Sequence, residues 1–440
     1  MSQTRVDSAP YRPSRRAALA SGQPISELMH QALSRPELIS LAAGFVEQTT
    51  LPLAPSKTAI DRLLTDVAAG RAALQYGTTA GYLPLREALL DRWLKADGVS
   101  PDSAQVSVDQ VVITAGSNQL LHLAAESMLD PGDIVLCAAP TYFVFLGTLA
   151  NMGIRSIGVA SDGEGMLPDA LEATLAELDE KGELPLVKAI YVTSYFDNPG
   201  SISLAEERRP QIIDMARRWS RRGRIFVIED AAYRELRYEG EDIPSMLSFD
   251  EAGDTVISAG TFSKCYAPGL RVGWGILPRD LVKPVLEQKG NLDFGSPNFA
   301  QHVMHAVLEA GRLDAHIERL RGAYRKKRDA MLEAAEQHFR PLAGVEWIAP
   351  RGGLYVWVSL PANIDTGPKG TLFSRAMDAG VLYVPGQYCF PKEGPCQHNT
   401  IRLSFGVQPD DRIREGMRLL SEAIAAEMDS SDAEPIEAIL

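Results

Sequence analysis

A single lysine stands within the stretch SAGTFSKCYAPGLRVGW, residues 258–274. Lys264 follows an apolar, strand-like run and the small hydroxyl residues Thr261 and Ser263, and Arg271 comes later, behind a Pro-Gly pair. A lysine at the end of a buried strand is poorly solvated and close to other cations, which favours nucleophilic chemistry at its amine. Hydroxyl groups and a forked guanidinium are suitable donors for a phosphate. The stretch therefore predicts a nucleophilic amine beside an anion site.

A second segment, TAGSNQ at residues 114–119, also has the composition of an anion site. A strand-like run leads into Gly116, Ser117 and Asn118, and a helical run follows directly. Backbone N–H groups and a hydroxyl at a helix N-terminus bind anions, but an ordinary turn with a serine cap has the same sequence. Taken alone, the segment favours the ordinary turn.

Two more apolar runs end in polar side chains. In SYFDNPGS, Asn198 precedes a proline, and its amide is able to donate to a phenolic oxygen, but taken alone this segment favours an ordinary turn. In FVIEDAAYRE, Glu229 and Asp230 end a strand, where a buried carboxylate needs a cation or a hydrogen-bond donor. A structural ion pair with an arginine and a ligand-binding carboxylate fit this second pattern equally well.

Together, the four segments supply the groups that one cofactor requires. They provide an amine nucleophile, a phosphate cradle, a carboxylate for a ring nitrogen and donors for a ring oxygen. Pyridoxal 5′-phosphate, held as a Schiff base on a lysine, needs all of these groups. The combination therefore predicts a site for this cofactor.

The runs that precede these segments have the pattern of strands in a mainly parallel sheet. They are short, almost wholly apolar and separated by helical stretches: QVVITAG, IVLCAAP, VKAIYVTS, RIFVIED and TVISAG. Strands that are buried on both faces have this composition, and the helices between them provide the crossover connections. We therefore predict an α/β fold whose ligands bind beyond the carboxyl ends of the strands.

The pattern changes after about residue 310, where a long amphipathic helix precedes the strand-like runs GLYVWVSLP, VLYVPG and TIRLSFG and a last helix. We predict a smaller α+β domain over residues 311–428 and a large cofactor-binding domain over 56–310. Residues 1–55 are assigned to an N-terminal arm and part of the small domain. The acidic residues 429–440 are predicted to form a disordered tail.

Composition argues against several other classes of function. The chain has 44 basic and 57 acidic residues, a net charge of −13, and nucleic-acid binding needs a basic face. No apolar run reaches the roughly 18 residues that span a bilayer, so no membrane association is expected. The four cysteines have neither metal-ligand nor disulfide spacing, so we expect no metal site and a reducing, cytoplasmic location.

The motifs resemble those of the class I/II aminotransferases of pyridoxal phosphate fold type I, nearest the 2-aminoadipate and kynurenine aminotransferase group. The resemblance covers residues from about 25 to 425. SAGTFSKCYAPGLRVGW is similar to the family's Ser-x-Ser-Lys block with Pro-Gly-Leu-Arg after it. This likeness implies that Lys264 is the catalytic Schiff-base lysine and that Ser263 and Arg271 hold the phosphate.

The same resemblance assigns roles to residues around the cofactor ring. VIEDAAYRE resembles the family's Asp-x-x-Tyr block, which implies that Asp230 pairs with the pyridinium nitrogen. Tyr233, together with Asn198, is then expected to donate to the ring oxygen. PTYFVF has Tyr142 where the family stacks an aromatic ring on the cofactor.

Further segments resemble the family's phosphate and substrate contacts. GSNQ corresponds to the phosphate turn and gives Ser117 and Asn118, and LQYGTTAGYLPLREAL gives Tyr76, which reaches the phosphate of a neighbouring subunit. The resemblance thus implies a homodimer with shared sites. NTIRLSFG has Arg402 where the family binds the α-carboxylate of the substrate, and Gly44 is expected beside the substrate. Tyr76 as a packing residue and Arg402 as a structural ion pair are the alternatives.

Two departures from the family bear on specificity. The family commonly reads Asn-Pro-Thr-Gly, whereas residues 198–201 read Asn-Pro-Gly-Ser, so we expect a differently shaped loop. The 2-aminoadipate branch often carries an arginine before its Glu-Leu pair for a distal carboxylate, and Ser26 stands there instead. We therefore expect a neutral or aromatic L-amino acid as donor. The resemblance itself implies 2-oxoglutarate as acceptor and a ping-pong reaction.

Two alternatives to an aminotransferase remain at this point. The same fold hosts β-lyases, decarboxylases and synthases, because a fold does not fix its reaction. A non-catalytic ligand-sensing module, as in transcription regulators with an aminotransferase-like domain behind a winged helix, is the second. Only about 25 residues precede the resemblance and no helix-turn-helix fits there, which disfavours the sensing module.

Overall fold

A computed structural model describes residues 11–433, except 21–27, 29, 32–33, 36 and 43. Ser26 and the start of the predicted N-terminal arm lie outside the described residues. The α-helices of the described part are α1 (Arg15–Leu19), α2 (Leu53–Thr65), α3 (Val67–Leu74), α4 (Leu83–Ala96), α5 (Ser117–Met128), α6 (Phe143–Asn151), α7 (Pro168–Glu180), α8 (Arg208–Trp219), α9 (Arg279–Asp293), α10 (Asn298–Glu309), α11 (Arg312–His338), α12 (Thr371–Asp378) and α13 (Asp410–Ala433).

The strands form two main sheets and one short pair. In chain order they are β1 (Ile39–Ser40), β2 (Val111–Thr114), β3 (Ile134–Ala139), β4 (Arg155–Asp162), β5 (Gly165–Met166), β6 (Val187–Thr193), β7 (Phe226–Asp230), β8 (Val256–Thr261), β9 (Gly273–Ile276), β10 (Glu346–Trp347), β11 (Tyr355–Ser359), β12 (Val381–Leu382), β13 (Val384–Pro385) and β14 (Thr400–Ser404). The large sheet has the order β2-β9-β8-β7-β6-β3-β4-β5, and the small sheet has the order β10-β11-β14-β13.

Strands β3, β4, β6, β7 and β8 are parallel, and β9 and β5 run antiparallel to their neighbours. Side chains alternate along each strand, so Ile134 and Leu136 of β3 pack into one core cluster while Val135 and Cys137 pack into another. Both faces of the large sheet are thus covered, which explains the almost wholly apolar strand sequences.

A separate core joins the small sheet to the C-terminal helices. It includes Val356 and Val358 of β11, Leu403 of β14, Met331 of α11 and Leu420 of α13. Strand β1 pairs in parallel with β12, with Ile39 opposite Val381. The N-terminal segment therefore returns to pack with the last part of the chain.

The predicted α/β fold, with a large and mainly parallel mixed sheet and a smaller α+β unit, is confirmed. One detail was wrong: helix α13 continues to Ala433, so residues 429–433 are helical rather than part of a disordered tail. Residues 434–440 lie outside the described part. No helix of the described residues is both long and apolar enough to cross a membrane, and these residues contain no cluster of side chains suited to hold a metal ion.

Candidate active site

Most of the predicted site residues meet in one cavity of about 150 Å³ at the carboxyl ends of the large-sheet strands. Strand β7 delivers Asp230 opposite Thr193 of β6, and β8 ends directly before the loop that carries Lys264. The site therefore lies where the parallel sheet was expected to bind ligands. The cavity is lined by Ser117, Asn118, Tyr142, Thr193, Asn198, Asp230, Ala232, Tyr233, Thr261, Ser263, Lys264, Pro268 and Arg271.

Lys264 projects into this cavity and is half-buried. Its Nζ donates a hydrogen bond to the carbonyl oxygen of Gly44 at 2.9 Å. The same nitrogen lies 5.7 Å from the centroid of the Tyr233 ring. Its polar contact is with a backbone carbonyl, and no carboxylate of the described residues forms an ion pair with it. The amine is thus held in place by a backbone carbonyl and not by an ion pair.

One end of the cavity has the donor set of an anion site. Helix α5 begins at Ser117 behind Gly116, which takes a φ of 81°. The guanidinium of Arg271 donates to the carbonyl oxygen of Ala115 at 2.9 Å and to Ser263 Oγ at 3.4 Å. A Cβ on Gly116 would lie 2.4 Å from Arg271 Nη2, so only glycine lets the guanidinium approach the helix N-terminus. A phosphate suits these donors.

Arg271 itself adopts an unusual backbone conformation. Its φ of 53° and ψ of 47° lie in the left-handed region, at the end of the short helical turn Pro268–Leu270. Thr261 Oγ1 donates to Ser263 Oγ at 3.0 Å and accepts from the N–H of Ser263 at 3.1 Å, which fixes the adjoining loop. Left-handed backbone in a non-glycine residue costs of order 1 kcal/mol and is typically retained at binding sites.

Asp230 also lines the cavity and is buried. Its Oδ2 accepts a hydrogen bond from Tyr191 Oη at 3.1 Å, and its Oδ1 accepts from the N–H of Ala232 at 3.1 Å. Desolvation by burial raises the pKa of Asp230 to about 6, and these two hydrogen bonds and Lys264 oppose the rise. A buried carboxylate with a raised pKa suits a cationic, protonated ring nitrogen.

Arg402 is 1% exposed and projects from the small sheet toward the cavity. Its Nη1 donates to Asn198 Oδ1 at 2.7 Å and its Nη2 donates to the carbonyl oxygen of Ala42 at 2.7 Å. Its Nε has no hydrogen-bond partner, and no acidic side chain of the described residues forms an ion pair with it. Tyr355 and Phe143 lie 4.4 and 5.4 Å from the guanidinium. A buried guanidinium without a carboxylate is costly, so this arrangement suits a carboxylate ligand.

Aromatic hydroxyls complete the polar lining. Tyr233 Oη lies 3.1 Å from Tyr355 Oη, and Tyr142 Oη donates to Asn118 Oδ1 at 3.3 Å. Desolvation by burial raises the pKa of Tyr233 well above its ordinary value, and the nearby Tyr355 raises it further. The Tyr233 hydroxyl therefore stays protonated and can donate to a ligand oxygen.

Glu229, beside Asp230 in sequence, has a structural role. It is buried on the other face of β7, accepts from Ser194 Oγ at 2.8 Å and from the N–H of Met246 at 2.9 Å, and lies 3.8 Å from Arg209. The ion-pair interpretation thus holds for Glu229 and the ligand interpretation suits Asp230.

Tyr76 is the one predicted site residue that this single chain leaves apart from the others. Its side chain is 83% exposed and its ring makes an edge contact with Phe294, with centroids 5.6 Å apart.

The loop at residues 198–201 has Ser201 at a φ of 54°, although glycine favours this region. Ser201 Oγ accepts from the N–H of Tyr355 at 3.2 Å, which ties this loop to the small sheet.

Sequence reasoning missed Tyr191, Tyr355, Thr193 and Ala42. Tyr191 and Thr193 are the uncharged polar side chains of the strand VKAIYVT, and a buried tyrosine needs a partner for its hydroxyl. That signal indicates a partner but does not name it. Tyr355 and the carbonyl of Ala42 reach the site only because the small sheet packs on the large one.

The residues present fit pyridoxal phosphate at three points. The Ser117, Ser263 and Arg271 donors suit its phosphate, the buried Asp230 suits its ring nitrogen, and the Lys264 amine suits its aldehyde. The chemistry of this donor set matches the cofactor that the sequence predicts.

Comparisons with known proteins agree with this geometry. The chain matches the family Aminotransferase class I and II over residues 36–418. It is 36% identical over 392 residues to aromatic-amino-acid aminotransferase 1 of Thermococcus litoralis, covering 89% of each chain. It is 34% identical over 402 residues to the 2-aminoadipate transaminase of Thermus thermophilus, covering 91% of this chain and 93% of that one.

Solved structures of aminotransferases resemble this chain over most of its length. The kynurenine aminotransferase of Pyrococcus horikoshii, solved in complex with PMP, superimposes with a TM-score of 0.85 at 34% identity, over 94% of this chain and 97% of that one. A Thermus thermophilus α-aminoadipate aminotransferase, complexed with N-(5′-phosphopyridoxyl)-L-leucine, superimposes with a TM-score of 0.81 at 31% identity, over 95% and 98% of the two chains. With the family match spanning most of its length, the chain belongs to the class I and II aminotransferases.

Proposed function

We propose that this protein transfers an amino group from a neutral or aromatic L-amino acid to a 2-oxo acid, with 2-oxoglutarate as the acceptor. As a class I and II aminotransferase it depends on pyridoxal 5′-phosphate, and its substrates are amino acids and oxo acids. The observation that carries the substrate assignment is the buried guanidinium of Arg402, which faces the site without a carboxylate partner among the described residues. An α-carboxylate supplies that partner in both half-reactions.

The cavity side chains would hold the cofactor at its two ends. Ser117, Ser263 and Arg271 would bind the phosphate, and Asp230 would hold a proton on the ring nitrogen. When bound, the cofactor supplies an electron sink for the negative charge that develops at the substrate Cα. The further residues that we assign to cofactor binding are Gly116, Asn118, Tyr142, Asn198, Tyr233 and Thr261.

Lys264 does the proton chemistry in this proposal. With its amine free, Lys264 would take the proton from the substrate Cα and later return a proton as a general acid. Its contact with Gly44 keeps the amine within the cavity, and we assign Gly44 to the substrate side of the site. Arg402 and Asn198 hold the carboxylate, which fixes the Cα–H bond near the Lys264 amine.

The choice of a neutral or aromatic donor rests on what surrounds Arg402. The rings of Tyr355 and Phe143 lie over its guanidinium. Among the described residues, the other cations of the site are Lys264 and Arg271, which serve the amine chemistry and the phosphate. No further cation in that set is available for a distal side-chain carboxylate, so an apolar or aromatic side chain suits the site better than an acidic one.

A spectroscopic titration tests the proposed function. The purified protein, loaded with pyridoxal phosphate, is mixed with a panel of amino acids, and the absorbance of the lysine-bound cofactor is followed. Conversion to the aminated cofactor by aromatic or neutral donors, with reversal by 2-oxoglutarate, is expected. Release of ammonia without reversal would indicate a lyase, and the absence of any cofactor band would contradict the assignment of Lys264. A Lys264→Ala variant, as control, retains cofactor but loses turnover.

A homodimer with shared sites is part of the same proposal. Tyr76 contacts the 62% exposed Phe294, and the apolar side chains two positions before each of them, Leu74 and Leu292, are 71% and 57% exposed. Exposed apolar side chains of this kind suit burial against another protein surface, and a second copy would bring Tyr76 to the phosphate end of the neighbouring site.

Subunit mixing tests the shared site directly. Lys264→Ala and Tyr76→Ala subunits each have a defect in both sites of their own homodimer. A mixed dimer has one intact site, because its Lys264 and its Tyr76 come from different chains. Mixing the two variants under exchange conditions should restore about a quarter of wild-type activity, the statistical yield of intact sites. Unchanged activity after confirmed subunit exchange would contradict the shared-site proposal.

A further inference from the structure

A second cavity, of about 370 Å³, lies next to the cofactor cavity and shares only the Thr193 wall with it. Its floor is formed by the ends of β3, β4 and β6, and its roof by Trp357, Ser359 and Phe390 of the small α+β unit. We propose that this cavity binds a small molecule with one cationic nitrogen on a compact apolar body. The site is separate from the proposed transamination chemistry and does not depend on it.

The charge of the lining is the first argument. The residues that line the cavity include two carboxylates, Asp162 and Asp197, and no lysine, arginine or histidine. Asp162 is already paired, because Arg208 lies at 2.7 Å. Asp197 has no cationic partner among the described residues and accepts only from backbone N–H groups, that of Ile202 at 2.7 Å and that of Gly200. A partly buried carboxylate without a cation attracts one.

Two unpartnered hydroxyls are the second argument. Thr141 is 2% exposed and Thr193 is 9% exposed, and both line the cavity. The Oγ1 atom of each is buried and has no hydrogen-bond partner. Such atoms are rare in native proteins because their desolvation is costly. Polar N–H groups on a bound molecule would satisfy them.

The apolar surfaces set the shape of the rest of the ligand. Trp357 and Phe390 lie in tilted contact, with ring centroids 6.3 Å apart, and Met166 and Ile202 line the cavity as well. Aromatic rings near a carboxylate favour a cation with a flat apolar body, through both burial and cation–π attraction. A doubly charged or strongly hydrated cation would not satisfy this surface.

Asp197 also has a structural role that the test must separate. Its Oδ1 accepts from the N–H of Ile202 and thereby shapes the loop that holds Asn198. Asp197→Asn keeps an acceptor oxygen at this position while it removes the charge. Ala160→Leu fills the cavity from strand β4 without touching Asp197.

Benzamidine is the probe, because it joins a cationic amidinium to a flat ring and is a poor nucleophile toward the cofactor. Its binding to the cofactor-loaded protein is measured by calorimetry at pH 8, with neutral benzamide and anionic benzoate as controls. Burial raises the pKa of Asp197 to about 7, so the carboxylate is ionised at this pH.

We expect benzamidine to bind at one site per chain, with benzamide and benzoate at least tenfold weaker. Asp197→Asn should weaken benzamidine binding by about ten- to a hundredfold, the loss typical for a charge-assisted contact. Ala160→Leu should weaken it by at least about tenfold, because the larger side chain fills the cavity. An unchanged cofactor absorbance in both variants shows that the fold is retained. Failure of benzamidine to bind the wild type, equal binding of benzamide, or undiminished binding in both variants would each overturn the proposal.

Discussion

Arg402→Met gives the sharpest test of the proposed site. The substitution places an unbranched apolar side chain in the small sheet and removes the guanidinium. In the proposal, the arginine forms charge-assisted hydrogen bonds to the substrate carboxylate, and Nε has no other partner among the described residues. Charge-assisted hydrogen bonds contribute about 1.5–3 kcal/mol each, so two of them amount to about 3–6 kcal/mol. That energy corresponds to roughly a hundred- to ten-thousandfold in kcat/KM.

The assay compares two donors that differ only in the carboxylate. Stopped-flow absorbance follows the first half-reaction with L-phenylalanine and with 2-phenylethylamine. Arg402→Met should slow the half-reaction with phenylalanine by roughly a thousandfold and that with phenylethylamine by only about threefold, because phenylethylamine has no carboxylate to contact the guanidinium. Arg402→Lys, which keeps the charge but loses the fork, should fall between the wild type and Arg402→Met.

Equal losses with both donors would refute this reasoning. Arg402 also donates to Asn198 and to the carbonyl of Ala42, so its removal disturbs the local structure whatever the substrate. A general disturbance slows phenylethylamine as much as phenylalanine, and the role of Arg402 would then be structural. The ratio of the two losses therefore measures the carboxylate contact itself.

Three further predictions follow from other contacts. Because burial raises the pKa of Asp197 to about 7 from an ordinary value of 3.8, the native state holds a proton that the unfolded chain releases, so stability falls as pH rises from 4 to 7. In urea unfolding, the free energy of unfolding of Asp197→Asn relative to that of the wild type should therefore increase over this pH range, by at most about 4 kcal/mol. Tyr191→Phe removes a hydrogen bond that lowers the pKa of Asp230, so the acid limb of the kcat/KM profile should move up by about 1 pH unit. A Cβ on Gly273 would lie 2.5 Å from the backbone nitrogen of Ser117, so Gly273→Ala should weaken cofactor binding, measured by fluorescence titration, by at least about tenfold.

Much of the site could be predicted because its polar residues directly follow apolar, strand-like runs in the sequence. Asp230 and Asn198 interrupt apolar runs, and Lys264 stands alone after another run. Parallel strands bring such residues to one edge of the sheet whatever the details of packing. The order of the strands and the antiparallel direction of β9 were not predictable, since both depend on contacts between segments far apart in sequence.

The residues that escaped prediction depend on side-chain direction or on long-range packing. Tyr191 reads as a core residue of β6, and only the register of β6 against β7 turns its hydroxyl toward Asp230. Tyr355 reaches Tyr233 because the small sheet packs over the large one. The helical end of α13 was missed because its composition is that of a disordered tail, whereas its preceding turns pack against α11 and extend the helix.

The segment around β1 has a consequence for how the enzyme is made in the cell. Its strand partner β12 and the guanidinium that binds Ala42 are synthesised long after it, since Ala42 and Arg402 are 360 positions apart in sequence. The hydrogen bond to the carbonyl oxygen of Gly44 likewise forms only after Lys264 has been synthesised. Contacts of such high sequence separation form late, because loop closure must precede them. The large sheet can therefore form during synthesis, while the substrate side of the site closes only after Arg402 has been synthesised.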